Sequence, residues 1–381
     1  MTLDELKTEV GSLIYLDDPL VVDVVCTAYV ANELPGDNLW ILIVGAPSAG
    51  KSECIDGLIE CENTYKISNL TPQTFLSGWQ SKKNKKNSLL LRLQGELLIA
   101  KDFGSIMTMR SDKQQEILGQ LREIYDGRLT KDVGSSDEQI VWVGSLGFLG
   151  GATPEVFRHH SVMGRLGERF CYYWLKNVDG RQIAQKALSM KGREDVLRKE
   201  VRKSFKTFLK QLKDPQWTDA PTLNEFDDKL VSMAQYTCAC RTAVARDYRT
   251  SQIIDHAEWE GTGRLVKQLS KFTTALTIVR GKSEVTIDEL KLGLQVGIDS
   301  IPRPRLDVLR AMYKPDKQLV IGVSDLADIV SMSPSRTQYI LEDLQALKLT
   351  RPFREGGKTR ASGWTLTDMY LELYENVKEV E

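Results

Sequence analysis

The sequence predicts an α/β protein with a parallel-sheet core, an all-helical segment after it, and a helix-turn-helix with a glycine-tipped hairpin at the end. Three observations point there. Short apolar runs alternate with amphipathic stretches up to about residue 179, helical periodicity then continues to about Ser300, and SIPRPR, 300 to 305, opens a different arrangement. The expected division is 1–179, 180–303 and 304–381.

From Leu3 to Asn32 the chain reads as helices broken at Asp17-Asp18-Pro19, with an apolar face through Val21, Val22, Val25 and Ala28. LWILIV, 39 to 44, is continuously apolar, as expected of a strand covered on both faces. Further strand-like runs are TYKIS (64 to 68), ELLIA (96 to 100), IVWVGSLGFLGG (140 to 151) and FCYYWL (170 to 175). VLRKEVRKSFKTFLKQL then places Val196, Val201, Phe205, Phe208 and Leu212 near one helical face. Pro302 and Pro304 break the helical run. Helices over Leu306–Tyr313, Ser324–Val330 and Arg336–Leu347 follow, and RPFREGGKTRASGWTLT forms the hairpin, the layout of a winged helix.

The formal net charge of −1 excludes nucleic-acid binding by the chain's overall charge, so any DNA-facing surface must be a local patch. The six cysteines include no CxxC pair and the only histidines are His159, His160 and His256, which argues against zinc and for reduced, mostly buried thiols. No apolar run reaches membrane-spanning length and the N-terminus carries no secretory pattern, so a cytoplasmic protein without a membrane partner is expected.

GAPSAGKS, Gly45 to Ser52, fits the phosphate-binding pattern G-x-x-x-x-G-K-[ST] and lies between an apolar strand and a helix, where that chemistry needs it. Its glycines let the backbone wrap phosphates, Lys51 can reach the β and γ oxygens, and Ser52 can hold Mg²⁺. The expected nucleotide contacts are Gly45, Ala46, Pro47, Ser48, Ala49, Gly50, Lys51, Ser52 and Glu53, with ATP and Mg²⁺ as the ligands. LLIAKDFGSI, 97 to 106, supplies the second motif, four apolar residues and an aspartate, with a lysine where a first acid is expected. A P-loop enzyme normally follows that strand with two acids, one for the metal and one for water. Here Lys101 precedes Asp102 and Phe103 follows it. Asp102 is either the metal-side aspartate or the water-activating one with Lys101 in the metal-side slot. Glu96, Asp112 and Asp126 are nearby carboxylates that could complement it.

The order of these motifs resembles an AAA+ ATPase of the minichromosome maintenance (MCM) type, and more closely the related replication ATPases of phages and mobile elements. The resemblance runs from about Asp17 to Arg305 through the P-loop, LLIAKDFGSI, QLREIYDGRLTKDVG, GGATPEV, VMGRLGERF and EGTGRLVKQLSKFTTAL. It implies that Thr153, where asparagine is usual, is the sensor at a strand tip. It implies further that Arg169, with Arg165 as near competitor, is a finger reaching a neighbouring subunit, and that Arg264 is a second sensor on the helical lid. It places Lys131 at the tip of a DNA-facing hairpin. The implied assembly is a homo-oligomeric ring, expected to be a hexamer, that translocates on DNA as a replicative helicase, with a replication initiator or loader as a possible partner. An N-terminal zinc domain is not expected, so origin melting and double-hexamer formation are not carried over from the resemblance. In the winged helix, Arg336 and Gln338 open the third helix and Arg354, Lys358 and Arg360 line the wing. These and the KKNKK run, Lys82 to Lys86, are the other candidate DNA contacts, with protein docking the alternative for the winged helix and a solvated loop that for KKNKK. A nucleotide-switched DNA-binding, initiator or loading ATPase that unwinds nothing is the rival reading. A small-molecule kinase would leave the lid and winged helix unexplained.

Overall fold

The computed structural model describes residues 1–76, 88–132, 139–159, 164, 168–176, 179–212, 221, 223–247, 249–255, 257–315, 319–354 and 362–380. The chain forms two compact units. The first comprises Met1–His159, Glu168–Leu223 and Ser270–Gly293, and the second His160–Gly167, Asn224–Leu269 and Leu294–Glu381. Residues 180–223 and 270–293, read above with the helical segment, thus group with the sheet.

The first unit opens with α1 (Leu3–Leu13), whose Thr2 cap accepts from Glu5 N at 3.2 Å while Thr2 N donates to the Glu5 carboxylate at 2.8 Å. This reciprocal pair satisfies two N–H groups that the first helical turn leaves without partners. After the Asp17-Asp18-Pro19 break comes α2 (Leu20–Glu33), buried along almost its whole length. Five strands, β1 (Trp40–Val44), β2 (Thr64–Ile67), β3 (Leu97–Ala100), β6 (Gly147–Ala152) and β7 (Phe170–Trp174), form a parallel sheet in the order β2-β3-β6-β1-β7. The protein is therefore mixed α/β, compatible with a Rossmann-like or P-loop-like core. Every residue of β1 is buried, as its unbroken apolar run requires. At the amino ends of the strands Trp40 packs against Phe148 and Phe170, with ring centroids 5.4 and 5.2 Å away.

The connections carry α3 (Lys51–Asp56), α4 (Pro72–Phe75), α5 (Gly104–Met107) and α6 (Ser111–Tyr125). The apolar run at 140–151 is two strands. Only its second half, β6, enters the sheet, whereas β5 (Gln139–Val143) pairs antiparallel with β4 (Arg128–Asp132). Burial separates them, because β6 is buried throughout while β5 turns in only Trp142. Two helices close this part, α7 (Gly180–Ser189) and α8 (Glu194–Gln211). The inward face of α8 is Leu197, Val201, Phe205, Phe208 and Leu209, and Val196 is 58% exposed. Val201, Phe205 and Phe208 thus lie inward as expected, while Leu197 and Leu209 take the end positions expected of Val196 and Leu212. Phe205 lies so close to Gly57 that a Cβ there would come within 2.3 Å of its ring, which fixes the face.

The later segment of this unit ends in an ionic network. Asp23 of α2 is fully buried between Lys7 at 2.6 Å and Arg280 at 2.9 Å, and Arg280 also holds Glu289 at 2.8 Å. Burial alone would raise the Glu289 pKa, but the Thr286 hydroxyl, Arg280 and Lys282 outweigh it and hold the carboxyl down at about 2. A carboxyl whose pKa is lowered by folding stabilises the protein above its unfolded pKa, and that contribution is lost as pH falls toward the folded value. Glu289→Gln is therefore expected to cost about 1–2 kcal/mol at neutral pH after allowance for solvent screening. In urea titrations the gap to wild type should narrow as pH falls from about 4.5 toward 2. A gap that stays constant over that window refutes the assignment.

The second unit contains α9 (Asp227–Arg241), the first part of α10 (Gly263–Val279), the later part of α11 (Ile287–Asp299), α12 (Arg303–Met312), α13 (Val323–Ile329) and α14 (Pro334–Ala346). A two-stranded sheet of β8 (Thr350–Phe353) and β9 (Gly363–Leu366) follows, and then α15 (Asp368–Glu375). Pro302 caps α12 and Pro304 sits inside its first turn. That is tolerated because first-turn N–H groups have no intrahelical acceptor, so the helix starts earlier than expected. Ile321, between α12 and α13, bridges antiparallel to Trp364. All six cysteines are buried thiols. Among the described residues no helix is long and apolar enough to cross a membrane.

Candidate functional site

In a parallel sheet every strand ends at the same edge, and ligands of open α/β sheets bind outside the carboxyl ends. The carboxyl ends of β1, β3 and β6 carry Gly45, Lys101-Asp102 and Thr153 respectively. Register ties them together, since Gly45 N donates to Ala152 O at 3.2 Å and Phe103 N to Gly151 O at 2.8 Å. Gly151 permits this, because a Cβ there would come within 2.6 Å of Lys101 O.

The loop after β1 bends through two residues in the left-handed region, Ser48 at φ 63° and Gly50 at φ 82°. Gly50 has steric as well as conformational cause, since a Cβ would lie 2.9 Å from Ile14 Cδ1. Such curled backbone presents N–H groups to an anion. Lys51, only 8% exposed, donates from Nζ to Gly45 O at 2.8 Å and Ala46 O at 2.6 Å. Burial lowers its pKa, and the charge of Asp102 opposes that shift. The lysine is thus folded against the loop's own carbonyls, positions that phosphate oxygens can take over. Ser52 is exposed at the start of α3. Glu53, one residue on, is held by Arg198 of α8, with Nη2 donating at 2.8 Å and Nε at 3.1 Å.

Asp102 and Thr153 converge as well. A Cβ on Gly104 would sit 3.1 Å from Asp102 Oδ1 and 3.9 Å from Thr153 Oγ1. Lys101 does not join them, because its ammonium contacts Asp56 of α3. The carboxylates named as complements are committed elsewhere. Glu96 precedes β3, at the opposite edge, and accepts from Gln94 N. Asp112 pairs with Arg110 on an exposed helix start at 3.3 Å, and Asp126 binds Arg169 at 2.9 Å.

Beside the loop lies a cavity of about 330 Å³. Leu13, Ile14 and Tyr15 at the end of α1 and Ile183 and Ala187 of α7 form an apolar wall facing Ser48–Glu53. No sequence signal marked those five positions, which come together only by packing. The volume and the mix of apolar wall with polar loop suit a nucleoside attached to phosphates.

The other candidates lie apart. Arg169 immediately precedes β7, at the amino edge of the sheet, is 9% exposed and stands 5.9 Å over the Tyr125 ring. Arg165 is outside the described residues, as are KKNKK, Lys358 and Arg360. Lys131 is not at a hairpin tip: it lies within β4 opposite Ile140, and its Nζ donates to Leu76 O at 3.1 Å. The strand pairing continues past it to Asp132, opposite Gln139. Arg264 belongs to the second unit, 3.6 Å from Glu260. Arg336 is exposed on α14, 5.4 Å from the Tyr339 ring, Gln338 donates to Glu342 at 2.8 Å, and Arg354 is exposed just after β8. The second unit also holds an arginine that sequence reasoning passed over. Arg246 lies 3.7 Å over the Tyr339 ring and pairs with Asp343 at 2.8 Å, sequence separations too long for any local pattern to reveal.

No protein-family model and no curated protein matches this chain.

Proposed function

We propose that the chain hydrolyses ATP and couples it to movement along DNA, as a ring-forming motor of the AAA+ class similar to MCM proteins and serving as the replicative helicase of a phage or mobile element. One observation carries the reading: the P-loop, Asp102 and Thr153 converge at one edge of a parallel sheet, beside a cavity of about 330 Å³. The Ser52 hydroxyl and the Asp102 carboxylate are hard oxygen donors, which suits Mg²⁺. Magnesium, when bound, neutralises charge on the transferred phosphoryl group.

The chain's own groups do the rest. Lys51 exchanges the Gly45 and Ala46 carbonyls for phosphate oxygens, and Thr153 orients the attacking water. Arg169 lies at the amino edge and the P-loop at the carboxyl edge, a strand length of about 15 Å apart. A finger role for Arg169 is therefore exerted on another copy, which requires it to leave Asp126. Arg264 is the second sensor in this reading. The α12-α13-α14-β8-β9 order, with the Ile321–Trp364 bridge as a short third strand, supports a winged helix, whose exposed Arg336 and Arg354 suit phosphate contacts.

The second reading, a nucleotide-switched DNA-binding or loading ATPase, is favoured by the single strand-end acid and by the engagement of Arg169 with Asp126. A forked DNA duplex with ATP separates the two. The motor is expected to release the strand in an ATP-dependent manner. DNA-stimulated hydrolysis without strand release would select the switch.

A further inference from the structure

Lys101 stands where P-loop enzymes usually have an acid, and the structure gives that lysine a partner outside the mechanism above. Its Nζ contacts Asp56 Oδ2. Asp56 ends α3 and is 5% exposed, and Lys66 and Arg202 each approach the same carboxylate at 3.8 Å. Arg202 also faces Glu60 at 3.6 Å. Three cations therefore gather on two carboxylates, of which Asp56 is the buried one.

The position of Asp56 on α3 matters for the nucleotide site. Residues four apart share a helix face, with Cβ atoms about 5–6 Å from each other, so Asp56 lies one turn beyond Ser52 on the side that presents the hydroxyl. A free ammonium on that face would repel a divalent cation held at Ser52. One uncompensated unit charge at such range weakens binding of a divalent ion by on the order of tenfold.

We propose that Asp56 is a positioning residue for the nucleotide site: it ties Lys101 to the far turn of α3 and cancels its charge, so that Asp102 suffices as the only strand-end acid. The negative charge missing from the end of β3 is restored from the helix. The proposal rests on the nucleotide reading above.

The test uses the full chain and measures equilibrium ATP affinity in EDTA and across a Mg²⁺ titration, with thermal midpoints alongside. Asp56→Asn is expected to reduce the magnesium-dependent gain in affinity by about tenfold while affinity in EDTA does not fall, because the uncancelled ammonium repels Mg²⁺ and attracts the phosphates. Adding Lys101→Met to that variant should restore the gain, because the cation that needed cancelling is gone. Lys101→Met alone should raise the gain, since the cluster around Asp56 then carries one positive charge fewer. A lowered midpoint in Asp56→Asn with the gain intact would make the pair a fold-holding contact only and overturn the proposal, as would a double variant that stays weak. If Asp56→Asn does not fold, Lys101→Met decides: a raised gain supports the proposal, and an unchanged or lowered one overturns it. Lys51→Ala locates the failure, because that variant should lose ATP affinity with and without Mg²⁺. Unchanged affinity in Lys51→Ala would place the error in the nucleotide reading, not in the pair.

Discussion

Lys51→Ala is expected to abolish ATP turnover. The side chain is nearly buried, and both of its observed acceptors are carbonyls of the loop that would wrap the phosphates. An alanine leaves those phosphate oxygens without their charged donor, and charge-assisted hydrogen bonds are about twice as strong as neutral ones. Fold loss should not confound the result. Lys51 carries a desolvation cost, seen in its lowered pKa, so removing it relieves a buried charge while leaving the two carbonyls to water. Turnover and thermal midpoint measured together provide the check. Wild-type turnover in a folded variant would sink the nucleotide assignment and the proposed motor with it.

Arg169→Ala should lower turnover by about a thousandfold or more with ATP affinity nearly unchanged, the signature of an arginine that stabilises charge only in the transition state. The Asp126 pair makes a sharper comparison possible. If Arg169 only holds the fold, Arg169→Ala and Asp126→Asn should lose thermal stability alike, and turnover should follow stability in both. If it acts on a neighbouring copy, Asp126→Asn removes only its ion pair with Asp126, so turnover should persist or rise while Arg169→Ala remains inactive. Mixing Arg169→Ala with Lys51→Ala, each inactive alone, should then restore partial activity, because some interfaces join an intact P-loop to an intact arginine. Subunits shown to exchange, with no activity returning, would exclude action in trans.

Much of the first unit was legible in the sequence because its signals are local. The strand LWILIV is apolar at every position, the loop after it has glycine where a left-handed turn demands it, and LLIA is followed two residues on by an acid. Each of these depends on a few consecutive residues and on backbone geometry alone. Helix faces were less secure. Leu197 and Val196 are both apolar, and the expected face through Val201, Phe205 and Phe208 held, but only the packing shows that Leu197 and not Val196 joins it. β4 and β5 pair antiparallel, but that Lys131 lies within the pairing depended on how far the two strands pair, which strand composition does not encode.

The sequence by itself determined the α/β class, the phosphate-loop motif and the position of a lone acid after β3, since all three follow from periodicity and short-range spacing. Only the tertiary structure decided how the charges are shared. Lys101 turned to Asp56, 45 residues earlier, and Arg169 to Asp126, 43 residues earlier. The apolar wall beside the loop was assembled from the end of α1 and from α7, segments about 170 residues apart in the chain. The physical reason is that a charged or apolar side chain takes the partner that packing brings within a few ångströms, and the linear order of residues states composition and period but not that distance.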